Sequence, residues 1–181
     1  TSLAPQSAES ANRNWQAALL CNDQLPIYLK TYPEVTAENV LAFMVFDPSN
    51  PSSIYSCLKA ARENAHTVRG TLTSEMWETI NSTWLEMLNV SKRKLQDEEF
   101  SGFFEWVKTR SSLSRGVTFG TMLHDDAFCF IRLGTYLERA DNTARLLDVK
   151  YYLIAEGEPV GIAADYYQWG ALLRSVSAFE I

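Results

Sequence analysis

The clearest helical signal in the chain lies in residues 130–151, which read FIRLGTYLERADNTARLLDVKY. Apolar residues recur there three and four positions apart, the spacing that aligns side chains along one face of an α-helix. We expect this face, called the seam below, to point into the core, with alanines that let a partner helix approach closely. The seam consists of Phe130, Leu133, Leu137, Ala140, Ala144, Leu147 and Tyr151.

Charged residues lie between the seam and a second apolar arc of Ile131, Leu146 and Val149, so this helix is expected to be covered on two sides. An unpaired buried charge costs several kcal/mol, and the charges therefore need partners. Asp141 and Arg145 are four residues apart and are predicted to pair along the helix. For the whole set, two interpretations stay open: ion pairs to neighbouring helices, or guanidinium groups that bind a carboxylate or phosphate of a ligand.

Outward from this helix, the same spacing predicts an all-α protein, an up-and-down antiparallel bundle of about six helices. A first helix is expected over residues 10–29, interrupted at Pro26, where the proline should kink or end it. Further helices are expected over residues 36–46 and from Asn50 and Pro51 to a closing Gly70. The later ones are predicted to start at Thr73 or Ser74, at Asp97, near residue 127 and at Asp165. Serines and glycines predict that residues 111–120 form the longest loop.

Length and composition describe one globular domain over residues 1–181, with 46% hydrophobic residues and a net charge of -6. That acidic balance excludes non-specific binding to nucleic acid or anionic lipid, and no apolar run is long enough to cross a membrane. Three widely separated cysteines argue against a disulfide framework and predict a reducing, cytoplasmic location. The chain starts at Thr1 and stops at Ile181 inside a helical pattern, so we expect the central fragment of a longer protein.

No metal site or cofactor is predicted. Glu63 and His66 have the spacing of two metal ligands on one helix, but the second such pair that a di-metal bundle needs is missing. The run from His124 through Asp125 to Asp126 is better explained as the cap of the helix that follows. The chain also lacks any pattern of a serine or cysteine nucleophile with its companion residues.

Residues 126–151 closely resemble the alpha-E family, a predicted bacterial all-helical domain named for a Glu-Arg motif. The resemblance extends to residues 50–54, 60–65 and 74–78 and so covers most of the chain. Family members typically have an additional Glu-Arg helix before this segment and continue beyond it. By the resemblance, the functional positions are Glu138 and Arg139 as the signature pair, Arg132, Asp141, Asn142 and Arg145 as companions, and Arg62 and Asn64 on an earlier helix.

The resemblance implies which proteins act together with this domain, but it does not imply an established reaction. Alpha-E genes or domains lie beside circularly permuted ATP-grasp ligases, transglutaminase-like peptidases and proteasome-like hydrolases. We therefore expect an accessory domain that works with an ATP-grasp-type ligase and uses its Glu-Arg helix to bind a peptide, an acidic small molecule or the ligase itself. Two alternatives stay open: an enzyme that forms or cleaves amides with Glu138 as general base, and a structural scaffold with buried ion pairs.

Overall fold

The computed structural model describes residues 8–93, 95–96 and 98–155, together with Tyr166, Trp169, Gly170 and Leu173. The regular secondary structure of the described residues consists of α-helices and one short 3-10 helix. No β-strand occurs among these residues, which confirms the all-α prediction. The predicted helix after Asp165 lies outside the continuous described ranges. The helices are α1 (Ala8–Cys21), α2 (Leu25–Tyr28), α3 (Ala37–Val45), α4 (Ile54–Thr67), α5 (Ser74–Ser91), α6 (Glu99–Thr121) and α7 (Asp126–Ala155).

Contacts divide the chain into two compact units, one of Thr1–Val40 with Gly134–Ile181 and one of Leu41–Leu133. In the second unit α5 packs against both α4 and α6, as expected of helices joined by short connections. Its main core cluster contains three buried side chains, Val45, Met87 and Phe103, surrounded by partly buried aromatic residues. None of the described helices is both long and apolar enough to span a membrane.

Hydroxyl side chains set the starts of α4 and α5. Ser53 Oγ accepts the Ser56 N–H at 3.1 Å, and Thr73 Oγ1 accepts the Met76 N–H at 3.3 Å. An uncapped helix end leaves backbone donors without partners, so each hydroxyl stabilises its helix by roughly 1 kcal/mol. Thr73 was one of the two predicted starts, whereas α4 begins at Ile54, after the predicted Asn50 and Pro51.

Asn50 does not open a helix because its buried side chain holds the preceding turn. Its amide nitrogen donates to the Phe43 carbonyl at 3.2 Å, and its side-chain oxygen accepts the Ser52 N–H at 2.9 Å. At the other end of α4, Gly70 is not the closing residue, since it lies inside the 3-10 helix Arg69–Thr71 that follows.

The predicted loop over residues 111–120 is wrong, because α6 continues through it to Thr121. Serine and glycine lower helix propensity, by about 1 kcal/mol for each glycine, but packing against α5 outweighs that cost. The Thr118 and Thr121 hydroxyls donate to the carbonyls of Ser114 and Val117 at 2.8 Å, so their polar atoms are satisfied within the helix.

The expectation that the seam of α7 is buried is also wrong. Phe130 is 72% exposed and Leu137 is 62% exposed. The inward side of the first turns is offset from the seam: Phe128 is buried in a cluster with Met76 and Met122, and Ile131 packs against it. Apolar periodicity identifies a face of a helix but not the neighbour that covers it.

Candidate functional site

The middle of α7 presents the Glu-Arg segment as a polar face of the helix. Glu138, Asp141, Asn142 and Arg145 occupy positions i, i+3, i+4 and i+7, which places them on one side, and Arg139 follows one position further round. All of them are exposed except Arg145, whose side chain is 34% exposed. The structure therefore brings the five α7 candidates of its unit together on one accessible surface.

Arg145 anchors this face through two carboxylates. Its Nε donates to Asp141 Oδ2 at 2.7 Å, which confirms the predicted pair, and its Nη1 lies 3.8 Å from Asp23 Oδ2. The hydrogen bond from Arg145 to Asp141 raises the pKa of the guanidinium above its ordinary value. Arg145 is therefore charged throughout the accessible pH range, and it connects α7 to the turn that follows α1.

Asp23 is a member of this cluster that sequence reasoning missed. It has a φ of 54°, in the left-handed region that most side chains avoid. The turn ends α1 in a Schellman arrangement, in which the Asp23 N–H donates to Leu20 O at 3.0 Å and the Gln24 N–H donates to Leu19 O at 2.9 Å. The available signal was the Asn-Asp pair at residues 22–23, since these two residue types tolerate the left-handed conformation after a helix.

The signature residues themselves have free side chains. Within the described part of the chain, neither the Glu138 carboxylate nor the Arg139 guanidinium makes a hydrogen bond or an ion pair, and the same holds for the Asn142 amide. The backbone carbonyl of Arg139 only accepts the Thr143 hydroxyl at 2.7 Å, a bond within the helix. The Glu138 carboxylate, a hydrogen-bond acceptor, and the Arg139 guanidinium, a planar donor, are therefore both accessible to a molecule in solution.

Comparison with known protein families matches residues 2–181 to Alpha-E, described as a predicted alpha-helical domain with a conserved ER motif. The chain belongs to the Alpha-E family. Glu138-Arg139 is the one Glu-Arg dipeptide in its sequence, so this Alpha-E domain displays that pair on the exposed surface of α7. Comparisons with curated proteins and with solved structures found no match.

The remaining candidates belong to the unit Leu41–Leu133, where two arginines rest on aromatic rings. The Arg132 guanidinium lies 4.4 Å from the Phe119 ring centroid. The Arg62 guanidinium lies 5.7 Å from the ring centroid of Trp77, and its Nε donates to Asn81 Oδ1 at 3.4 Å. These contacts give both arginines a packing role in this Alpha-E domain.

Asn64, the last candidate, is exposed on α4, and no described residue binds its side chain.

Asp125 caps the start of α7, and the histidine before it packs on the first turn. Asp125 Oδ1 accepts the Phe128 N–H at 3.2 Å, which confirms the capping interpretation for this residue. The His124 ring stacks on Phe128 with 4.1 Å between centroids. No group of three potential metal ligands occurs among the described residues.

Proposed function

We propose that this Alpha-E domain is a binding partner of an ATP-grasp-type ligase, and that it holds a peptide, an acidic small molecule or the ligase surface through Glu138 and Arg139. The observation that carries the proposal is the availability of both side chains, which are exposed and unpaired within the described residues. Because such a ligase consumes ATP, we propose that the pair works in the cytoplasm, in peptide metabolism.

The chemistry of the pair fits a peptide or a carboxylate. A guanidinium donates two parallel hydrogen bonds to a carboxylate, and a neighbouring carboxylate accepts from an N–H group or an ammonium group. Arg145, held by Asp23 and Asp141, supports the same helix face without competing for the ligand. The net charge of -6 does not favour a nucleic-acid partner.

Binding is better supported than catalysis or scaffolding. A general base needs a neighbouring group that positions it, and within the described residues no side chain contacts the Glu138 carboxylate. A scaffold with buried ion pairs would bury the signature arginine, yet Arg139 is exposed. Binding to a partner requires only an accessible surface with the right donors and acceptors.

The proposal is tested with a double variant, Glu138→Gln with Arg139→Gln, which removes both charges and leaves the net charge unchanged. A matched control is Glu105→Gln with Lys108→Gln, which neutralises an exposed pair of the same kind on α6, with its charged atoms 2.6 Å apart. Affinity for the purified ATP-grasp-type ligase of the same genome is measured by biolayer interferometry, and the Tm is measured in parallel.

We expect the double variant to bind the ligase at least about tenfold more weakly, with an unchanged Tm, since charge-assisted hydrogen bonds contribute roughly 1.5–3 kcal/mol each. The control variant should bind like the unmodified domain. Equal affinity of all three proteins, or no binding of the ligase to the unmodified domain, would overturn the proposal. A lower Tm with unchanged binding would assign the pair to the scaffold instead.

A further inference from the structure

A cavity of about 560 Å³ opens between α5 and α6 in the unit Leu41–Leu133. This volume is within the range of ligand sites in proteins. Its apolar surface comes from Val90, Leu95, Phe103 and Trp106, which surround or belong to the main core cluster. The cavity is therefore an indentation of the packed core that stays open to solvent.

Hydrogen bonds between the protein's own side chains hold the aromatic wall of the cavity in place. Trp106 Nε1 donates to Glu86 Oε2 at 2.7 Å, and Arg110 Nη2 donates to the other oxygen of Glu86 at 3.0 Å. Arg110 is fixed in turn by the hydroxyls of Ser82 and Thr83 at 2.7 and 2.9 Å. The Phe103 ring stacks on Trp106 with 5.6 Å between centroids. An incoming ring thus meets a preformed surface, which lowers the entropic cost of binding.

Gly102 keeps the cavity accessible. It lies in α6 and lines the cavity, and a Cβ atom placed on it would meet nothing within 4 Å. Glycine weakens a helix interior, so a residue of high helix propensity such as leucine would stabilise the helix itself. The space beside Gly102 is open, so a larger side chain at this position offers a way to narrow the cavity without disturbing the packing around it.

The polar rim has the pattern of donors and acceptors that suits a peptide group. No described residue binds the Asn89 side chain, which carries one acceptor and a donor group. Beside it, Arg93 Nη1 lies 3.2 Å from Glu99 Oε1, a donor and an acceptor at one site. The two carboxylates of Glu86 and Glu99 disfavour an anion, while the Arg93 guanidinium disfavours a cation. A neutral group with both an N–H and a C=O is the best match.

We propose that this cavity binds an aromatic side chain of a peptide, with its ring against Phe103 and Trp106 and the adjoining peptide groups bonded to Asn89 and the Arg93–Glu99 pair. The site is separate in the sequence from Glu138 and Arg139, and its argument does not depend on the function proposed for them.

The probe is N-acetyl-L-phenylalanine amide, a neutral aromatic residue with a peptide group on each side. It is titrated into the isotope-labelled full chain, and the NMR signal of the Trp106 indole N–H is followed. We expect a saturable shift that reports millimolar affinity. The test variant is Gly102→Leu, and its matched control is Gly116→Leu, at an exposed glycine of the same helix where a Cβ also meets nothing within 4 Å.

Gly102→Leu should weaken probe binding at least about tenfold because its side chain occupies the cavity, while Gly116→Leu should change it less than about twofold. Both variants should keep the Tm of the unmodified protein or raise it. Asn89→Leu, at an exposed position, should weaken binding about fivefold through the loss of a hydrogen bond, and it keeps the test decisive if Gly102→Leu does not fold.

Analogues of the probe test its chemistry. N-acetyl-L-phenylalanine is an anion, L-phenylalanine amide is a cation, and N-acetyl-L-leucine amide has no ring; each should bind at least about threefold more weakly than the neutral aromatic probe. Absence of saturable binding, equal affinity in Gly102→Leu, or tighter binding of the anion would overturn the proposal. The Glu138→Gln, Arg139→Gln variant should bind the probe normally, so failure here is distinguishable from failure of the proposed function.

Discussion

The α5–α6 pair and the Glu-Arg segment of α7 both combine arginine with acidic residues, but they do so in opposite ways. On α6, Arg110 is 17% exposed and binds two hydroxyls and a carboxylate. On α7, Arg139 is exposed and makes no side-chain bond within the described residues. An arginine whose donors are occupied by its own protein maintains local structure, whereas one with unoccupied donors is available for recognition.

The two regions also differ in the exposure of their apolar side chains. Phe103 is 6% exposed in the core cluster next to α5, while Leu137 is 62% exposed on the seam of α7. Periodicity marked Leu137 as an inward position, and it did not single out Phe103. The surrounding helices determine whether such a side chain is buried. A buried side chain stabilises the fold, whereas an exposed one contributes little to its stability.

The largest effect is expected from Phe103→Ala. Removal of this ring leaves a void in the core cluster and should lower the free energy of unfolding by about 3–5 kcal/mol. Leu137→Ala, the matched change on α7, should stay within about 0.5 kcal/mol because its side chain is already exposed. Urea unfolding followed by circular dichroism measures both. A comparable loss in Leu137→Ala would show that the seam is covered in solution and would break the comparison.

Arg110→Met should have the next largest effect. The change leaves the Glu86 carboxylate with fewer donors and loosens Trp106, so we expect a loss of about 1–3 kcal/mol in the free energy of unfolding. Tryptophan fluorescence and urea unfolding report the two consequences. Arg139→Met serves as the control and should be neutral within about 0.5 kcal/mol. Equal stability of the two variants would remove the distinction between the arginines.

Asp23→Gly should raise stability slightly. Glycine adopts a φ of 54° without the steric cost that an aspartate bears, which corresponds to a gain of about 0.5–1 kcal/mol. Asp23→Ala, which also lacks the carboxylate but keeps a Cβ atom, should be less stable than the glycine variant. If the glycine variant is less stable than the unmodified protein by thermal unfolding, the carboxylate contact to Arg145 matters more than the backbone conformation.

The smallest effect is expected from Asp141→Asn. This change removes one acceptor of Arg145 on an exposed helix face, so the Tm should fall slightly at low salt. The difference should vanish near about 1 M NaCl, where screening acts over roughly 3 Å. Glu105→Gln, in the exposed pair with Lys108, should show the same salt dependence. A salt-independent loss in Asp141→Asn alone would indicate that Arg145 contributes to stability beyond an exposed ion pair.

Much of the local structure follows from short-range rules. Helical periodicity predicted the all-α class, Thr73 was recognised as a helix start, and the four-residue spacing predicted the bond from Arg145 to Asp141. The pattern also placed Glu138 and Arg139 among the charged residues of a single long helix. These properties depend on residues within about one helical turn of each other, which is the range over which a sequence pattern carries information.

Properties that involve distant residues were predicted poorly. Residues 111–120 are helical because α5 packs against α6, not because their own propensity favours a helix. Arg62 rests on Trp77 from the next helix, and Arg110 and Trp106 converge on Glu86 from α6. Helical spacing patterns do not predict these contacts, because the contacts join residues that lie 15 to 24 positions apart in the sequence.

From its amino acids alone, the chain was readable as an all-α member of the Alpha-E family with a Glu-Arg pair on one long helix, since helix formation and pairing within a turn are local events. Only the tertiary structure decided that no described residue binds the side chains of this pair, that the seam beside it is exposed, and that a cavity opens between α5 and α6. Exposure and cavities depend on which distant helices fill the space around a residue, and that is settled by packing.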